Sequence, residues 1–201
     1  VVSVAVGFTA EDRERITASL LDTAEQLFAT QGLKKTSLEE LVVPSGIAKG
    51  SFYAFYDSKE VLYRDVMIRR APLIGRRLAE PLSRPPSTEA LAALIRAVTE
   101  VLTGDPFYRR LLTHPDELEA VARRVGPEEI ARVTPYLVQP LIRYFAQGQA
   151  DGVIVPDVAP EILVGVVRTA GLVVLNRDRF GADYDQVLDA TIDALARGLT
   201  A

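Results

Sequence analysis

TSLEELVVPSGIAKGSFYAFYDSKE, residues Thr36 to Glu60, is the stretch of sequence that decides the fold. Ser37 and Glu40 stand three residues apart in the S-x-x-E pattern of a capping box, so a helix is predicted to begin here. Pro44 cannot continue that helix because it lacks a backbone N–H, and Gly46 follows where the chain must turn sharply. The pattern predicts two short helices joined by a tight turn.

The second of these helices is predicted over about Ile47 to Tyr56, and its two sides differ in chemistry. One side carries Ile47, Phe52 and Phe55 or Tyr56, and the other carries Ala48, Lys49, Ser51, Tyr53 and Ala54. Small residues let a helix backbone approach the floor of a DNA major groove, while lysine and tyrosine reach phosphates. Spacing alone fits equally well an ordinary helical hairpin with a solvated polar face.

The run SGIAKGSFYAFYDSKEVLY, Ser45 to Tyr63, closely resembles the DNA-binding segment of the TetR family of transcriptional regulators. The preceding GLKKTSLEEL, Gly32 to Leu41, fits as well, so the resemblance covers about the first third of the chain. It implies an all-α fold of about nine helices, in which a three-helix domain with a helix-turn-helix motif precedes a helical ligand-binding and dimerisation domain. We expect the DNA-binding domain to span residues 1–58 and the second domain residues 59–201.

Composition narrows the class of protein. The chain has 201 residues, of which 48% are hydrophobic, so it can bury a substantial core. It contains no cysteine, which excludes disulfides and thiolate zinc sites and fits a reducing compartment. The first residues, VVSVAVGF, lack the basic region of a signal peptide, and the apolar stretch Ile162 to Leu175 is too short to span a bilayer. We expect a soluble, cytoplasmic protein.

Net charge gives no support to nucleic-acid binding. The whole chain carries −4, and within residues 34–60 the lysines at 34, 35, 49 and 59 are balanced by Glu39, Glu40, Asp57 and Glu60. DNA binding would therefore depend on the local placement of those lysines, aided by backbone donors at helix N-termini. Arg13 and Arg15, near the start of the first helix, fit either contact with phosphate or plain solvation.

Nearly all the remaining sequence reads as helical. The predicted helices span residues 10–30, 57–78 with a kink near Pro72 and Gly75, 87–102, a segment opening at Pro106, 127–150 with a break at Pro135, 160–177 and 183–198. The Pro-rich stretch 81–87 is the clearest linker.

The last two helices are too apolar for the surface of a small monomer. A helix that is apolar on nearly all sides needs cover on nearly all sides, which either a two-fold interface or a large monomeric core provides. The resemblance favours a homodimer in which these two helices from each subunit form a four-helix bundle. The predicted interface residues are Ile162, Gly165, Val166, Thr169, Val173, Leu188, Ile192 and Leu195.

The resemblance also implies roles for individual residues in DNA binding. Thr36, Ser37, Tyr53 and Lys59 match positions that hold the phosphate backbone, and Lys49, Gly50 and Ser51 match the start of the recognition helix, which faces base edges. Many relatives carry polar side chains where this chain has Ala48 and Ala54. Specificity is therefore expected to rest more on Lys49 and Ser51, with the alanine methyl groups packing against thymine.

Members of the family carry an effector pocket in the second domain, and the sequence offers candidates for it. These are Met67, Phe107, Tyr108, Leu111, His114, Tyr136, Phe145 and Asn176, with Arg143 and Arg168 as possible partners of a ligand carboxylate. Their apolar and aromatic majority favours a lipophilic small molecule, although the same residues also fit plain core packing. His114 is the only histidine, which argues against a metal site.

The leading hypothesis is a repressor that binds a palindromic double-stranded DNA operator as a homodimer and is released by a small lipophilic effector. A dimer regulated by a partner protein is the alternative. An enzyme is disfavoured, because the sequence has no Ser–His–acid constellation, no phosphate-binding loop and no catalytic or metal-binding cluster. No cofactor and no membrane partner are expected.

Overall fold

The computed structural model describes residues 8–132 and 138–201. Within these ranges the chain forms α-helices, three short 3-10 segments and no strand beyond an isolated bridge between Ile154 and Thr200, so the all-α prediction is confirmed. The helices are α1 (Ala10–Thr30), α2 (Gly32–Lys35), α3 (Leu38–Val42), α4 (Lys59–Ser83), α5 (Thr88–Gly104), α6 (Pro106–Thr113), α7 (Pro115–Val125), α8 (Pro127–Ala131), α9 (Gln139–Ala150), α10 (Pro160–Leu175), α11 (Arg177–Phe180) and α12 (Tyr184–Leu199). Several of these are single turns, so the described ranges contain twelve α-helices where about nine were expected.

Side-chain caps fix where several helices begin. Thr9 and Asp12 form a capping box at α1, and Ser37 and its partner three residues later do the same at α3. The hydroxyl of Ser87 accepts the N–H of the third residue of α5, and Asp105 accepts the N–H of Tyr108 in α6 at 2.9 Å. These caps satisfy N–H groups that have no partner inside the helix, and the capping box at Ser37 was predicted from the sequence.

Helix α4 is longer than the sequence suggests. It continues through Pro72 and Pro81 to Ser83, whereas a kink or break near Pro72 was expected. A proline removes one backbone hydrogen bond, but the packing of one helix face compensates, since Ala71, Ile74 and Leu78 are all buried. The linker to α5 is correspondingly short.

The segment that follows the turn is shorter and more tightly wound than predicted. It is a 3-10 helix over Lys49–Ala54 in place of an α-helix over residues 47–56, and Ala48 before it is extended, with ψ at 150°. Gly50 and Ser51 are weak helix formers, so packing of the aromatic residues sets the geometry here. We call Lys49–Ala54 the recognition segment.

The chain divides into two compact units. The first comprises the chain up to Arg69 together with Arg110–Ile130, and the second comprises Arg70–Arg109 together with the chain from Ala131 onward. The end of α6 and the whole of α7 therefore belong to the same unit as the N-terminal helices. The functional division at residues 58 and 59 stays a prediction.

The second unit is built around α5 and α10. Helix α5 packs against α10 and α12, and α10 also packs against α9 and α12. A Cβ atom at Gly171 in α10 would lie 2.3 Å from Cδ1 of Leu102 in α5, so a larger residue here would force the Leu102 side chain to move. In the described ranges, none of the helices is both long enough and apolar enough to cross a membrane.

Candidate DNA-binding surface

The turn between α3 and the recognition segment has the geometry predicted for it. The N–H of Glu40 donates to the Ser37 hydroxyl at 3.2 Å, and the N–H of Ser37 donates to the Glu40 carboxylate at 2.7 Å. After a 3-10 turn over Val43–Ser45, Gly46 adopts a left-handed conformation with φ at 71°. That conformation favours glycine, so the chain reverses here at little cost. The Ser37 hydroxyl serves the helix cap.

The recognition segment is anchored by an aromatic core and turns its polar side outward. Phe52 and Tyr56 are buried, which confirms the expectation that Phe52 belongs to the core. Lys49 and Gly50 are exposed, and Tyr53 retains 60% of its accessible surface. The exposed set offers an ammonium, an uncovered backbone and a phenol hydroxyl, the groups that reach base edges and phosphates.

Lys49 is already engaged within the protein. Its ammonium donates to a carboxylate oxygen of Glu39 in α3 at 2.6 Å, and more than half of each side chain is exposed to solvent. The hydrogen bond from Lys49 lowers the pKa of the Glu39 carboxyl group. The sequence reasoning placed Glu39 only in a charge balance and missed this pairing, although both residues lie on helices that the motif brings together.

One of the predicted phosphate contacts needs correction, and a second has partners within the protein. Thr36 is buried, with its hydroxyl donating to the Gly32 carbonyl at 2.7 Å, so it has no surface to offer DNA. The ammonium of Lys59 donates to the carbonyls of Leu33 and Thr36 at 2.9 and 2.5 Å. Carbonyls at the end of a helix lack intrahelical partners and attract cations, so the Lys59 ammonium caps the end of α2. Its phosphate contact stays a prediction.

Arg13 supports the far end of the recognition segment. Its guanidinium donates to the carbonyl of Ala54 at 3.3 Å and lies 5.6 Å from the centroid of the Phe55 ring. Arg15 instead pairs with Asp12 in its own helix. The sequence left phosphate contact or solvation open for these two arginines. It did not predict the hydrogen bond from Arg13 to the Ala54 carbonyl, which joins residues 41 positions apart.

A buried ion pair from α6 and α7 holds the start of α2. The Arg110 guanidinium donates twice to the Glu117 carboxylate, at 2.7 and 3.1 Å, and Glu117 also accepts the N–H of Leu33 at 3.2 Å. Glu117 is only 3% exposed. Gly32 has φ at 84°, and a Cβ atom there would lie 1.9 Å from the guanidinium, so the pair fills the space that a side chain would need.

The predicted effector residues are divided between the two units. Met67, Leu111 and His114 belong to the first, while Phe107, Tyr108, Phe145 and Asn176 belong to the second, and Tyr136 lies outside the described residues. Phe145 is fully buried in the core of its unit, and the Asn176 amide donates to its own helix. A cavity of about 540 Å³ in the second unit is lined by Arg143 but by none of these eight residues. The effector pocket stays a prediction.

Helix α10 presents an apolar stripe to solvent. Ile162 and Leu172 are 60% and 58% exposed, and Gly165 and Thr169 lie exposed between them, while Val166, Val173, Leu188 and Leu195 are partly covered. Ile192, predicted at the interface, is a correction: it is fully buried, because it faces the core of its own unit. The stripe has the spacing of one helix face.

A capped helix, a left-handed turn and an exposed recognition segment follow one another along the chain. This arrangement is that of a helix-turn-helix transcription regulator. The sequence profile described as bacterial regulatory proteins, tetR family, matches residues 20–66, which include the whole motif. Residues 20–66 therefore carry a DNA-binding domain of the TetR family.

Full-length relatives agree with this assignment. The HTH-type transcriptional repressor DhaR of Mycobacterium sp. (strain GP1) is 23% identical over 189 residues, covering 91% of this chain and 93% of that protein. Among solved structures, a tetR family transcription regulator from Shewanella sp. PV-4 superposes with a TM-score of 0.68 at 17% identity, covering 92% of this chain and 98% of the other. FadR from Bacillus subtilis, solved in complex with stearoyl-CoA, gives a TM-score of 0.64 at 18% identity, covering 90% and 98%. Similarity therefore extends over both units.

Proposed function

We propose that this regulator is a repressor that binds a palindromic operator as a homodimer and is released by a small lipophilic effector. The observation that carries the proposal is the exposed face of the recognition segment, where Lys49, Gly50 and Tyr53 project from a buried aromatic anchor. Because the net charge of the chain is −4, binding rests on these placed groups more than on bulk attraction.

Homodimerisation is supported by the apolar stripe of α10. Ile162 and Leu172 are large apolar side chains with most of their surface in water, and the small residues Gly165 and Thr169 between them allow a second helix to approach closely. A two-fold axis through such a stripe makes the same surface serve both subunits. Two recognition segments would then read half-sites about 34 Å apart.

Release by a lipophilic effector is supported by the family and by one relative. FadR of Bacillus subtilis has been solved with stearoyl-CoA, a ligand with a long acyl chain. A thermal-shift screen of lipophilic metabolites tests this part of the proposal, since a ligand at 100 times its dissociation constant adds about 2.7 kcal/mol to stability. Stabilisation only by another protein would favour the alternative form of regulation.

Selection of bound DNA from a random pool tests the core of the proposal. The expected result is a palindromic motif recovered by the full chain at fixed salt concentration. Lys49→Ala is expected to weaken binding to that motif by about 1–3 kcal/mol, whereas Tyr53→Phe weakens all sequences alike. Arg84→Ala is the matched control, because it removes an exposed cation that pairs with Glu80 in the second unit. Recovery of no motif would refute DNA recognition.

A further inference from the structure

The ion pair between Lys49 and Glu39 places a hydrogen-bond donor and an acceptor side by side on the recognition surface. Lys49 opens the recognition segment and Glu39 is the second residue of α3, so one group comes from each half of the motif. Their Nζ and Oε1 atoms lie 2.6 Å apart, and both side chains are mostly exposed, at 56% and 59%. A duplex reaching Lys49 would therefore meet the carboxylate as well.

A G·C base pair presents the complementary pattern in the major groove. Guanine offers the acceptors N7 and O6, and cytosine offers the N4 amino group as a donor. O6 and N4 are hydrogen-bonded to each other within the base pair, so they lie roughly 3 Å apart. That separation matches the spacing of the ammonium and the carboxylate. An A·T pair fits less well, since the thymine methyl group lies beside its acceptor.

We propose that Lys49 and Glu39 act together as one reader of a G·C base pair in each half-site, with Lys49 donating to guanine and Glu39 accepting from the N4 amino group of cytosine. The proposal rests on the proposed DNA-binding function and adds a second specificity-determining residue to it. The capping box at Ser37 fixes the start of α3, and so the backbone position of Glu39 two residues later.

The carboxylate contributes to specificity at the expense of general affinity. A negative charge close to the phosphate backbone weakens binding to every sequence, and Glu39 also competes with phosphate for the Lys49 ammonium. At a cytosine the N4 donor compensates for that repulsion, whereas guanine and thymine offer no donor in the major groove. Adenine offers its N6 donor, but the acceptor next to it then belongs to thymine, whose methyl group crowds the Lys49 ammonium. Such an arrangement discriminates by penalising the wrong sequence.

Selection from a random DNA pool with wild type, Glu39→Gln and Glu14→Gln tests the proposal. Glu14 is the matched control, an exposed carboxylate on α1 that takes no part in the reader. We expect the wild type to favour one G·C pair per half-site. Glu39→Gln should reduce that preference by about fivefold or more and admit adenine at the position, since glutamine pairs with adenine N6 and N7. Its affinity for non-specific DNA should rise, while Glu14→Gln keeps the wild-type motif.

The outcomes separate this inference from the function on which it rests. A wild-type motif that Glu39→Gln recovers unchanged, with a uniform gain in affinity, would overturn the reader and leave DNA recognition intact. Recovery of no motif by the wild type would overturn both. Equal far-UV circular dichroism and equal unfolding midpoints for wild type and Glu39→Gln exclude misfolding as the cause of a lost preference. In a Lys49→Ala background, the Glu39→Gln change should no longer alter the preference for G·C, since one half of the reader is already missing.

Discussion

Replacing Glu117 by alanine is expected to destabilise the first unit severely. In the folded protein its carboxylate accepts two hydrogen bonds from Arg110 and one from the N–H of Leu33, and it is almost completely buried. The hydrogen bonds to Glu117 raise the pKa of the Arg110 guanidinium. Arginine is protonated even without such a partner, so Arg110 stays charged when Glu117 is removed. The mutation therefore leaves a mostly buried cation and a backbone donor without their acceptor.

The magnitude follows from that arrangement. Removing one partner of a buried ion pair typically costs about 3–5 kcal/mol, because the remaining charge is desolvated without compensation. Glu117→Gln should cost less, since its amide oxygen still accepts the Leu33 N–H. Urea unfolding followed by circular dichroism at fixed protein concentration measures both values.

Glu119→Ala is the matched control on the same helix. Glu119 pairs with Arg123, but both side chains are 67% exposed, so the expected loss is less than about 0.5 kcal/mol. Equal losses for Glu117→Ala and Glu119→Ala would refute the reasoning, since burial would then not distinguish the two pairs.

Three further substitutions test the helix cap formed by Lys59, the proposed interface on α10 and the burial of Tyr56. Lys59→Met should lower the free energy of unfolding by about 1.5–3 kcal/mol, because the carbonyls at the end of α2 lose a charged donor. The salt dependence of DNA binding should stay unchanged. A weaker salt dependence without a loss of stability would instead support a phosphate contact. Leu172→Glu should convert the proposed dimer to a monomer in analytical ultracentrifugation while retaining the helical circular dichroism signal. A dimer of this variant that persists at micromolar concentration would contradict an interface on α10. Burial raises the pKa of Tyr56 to about 12 from an unfolded value of about 10. Stability that is present below pH 10 should therefore be lost as the pH rises towards 12. Tyr56→Phe should flatten that decline in alkaline denaturation curves.

Local signals in the sequence predicted much of the fold. The capping residue Ser37 and the left-handed Gly46 act within three or four residues of themselves, so spacing was enough to locate the start of α3 and the turn. The all-α class followed from apolar periodicity and from the resemblance of the motif.

Long-range contacts decided what the sequence did not predict. Lys59 reaches back 26 residues to the Leu33 carbonyl, and Glu117 contacts the N–H of the same residue across 84 residues. No local pattern encodes such a choice of partner. Ile192 shows the same limit, since an apolar periodicity identifies the helix face that is covered but does not say whether the cover comes from its own subunit.

The buried ion pair of Arg110 and Glu117 that holds the start of α2 has a consequence for protein engineering. Grafting the DNA specificity of this regulator onto another sensor by a single crossover after residue 58 would leave Arg110 and Glu117 behind, and Gly32 would then face whatever side chains the recipient supplies. The compact unit that holds the recognition segment is discontinuous: it consists of the chain up to Arg69 together with Arg110–Ile130. Hybrid regulators that exchange both pieces should fold and read DNA more faithfully than those cut at one point.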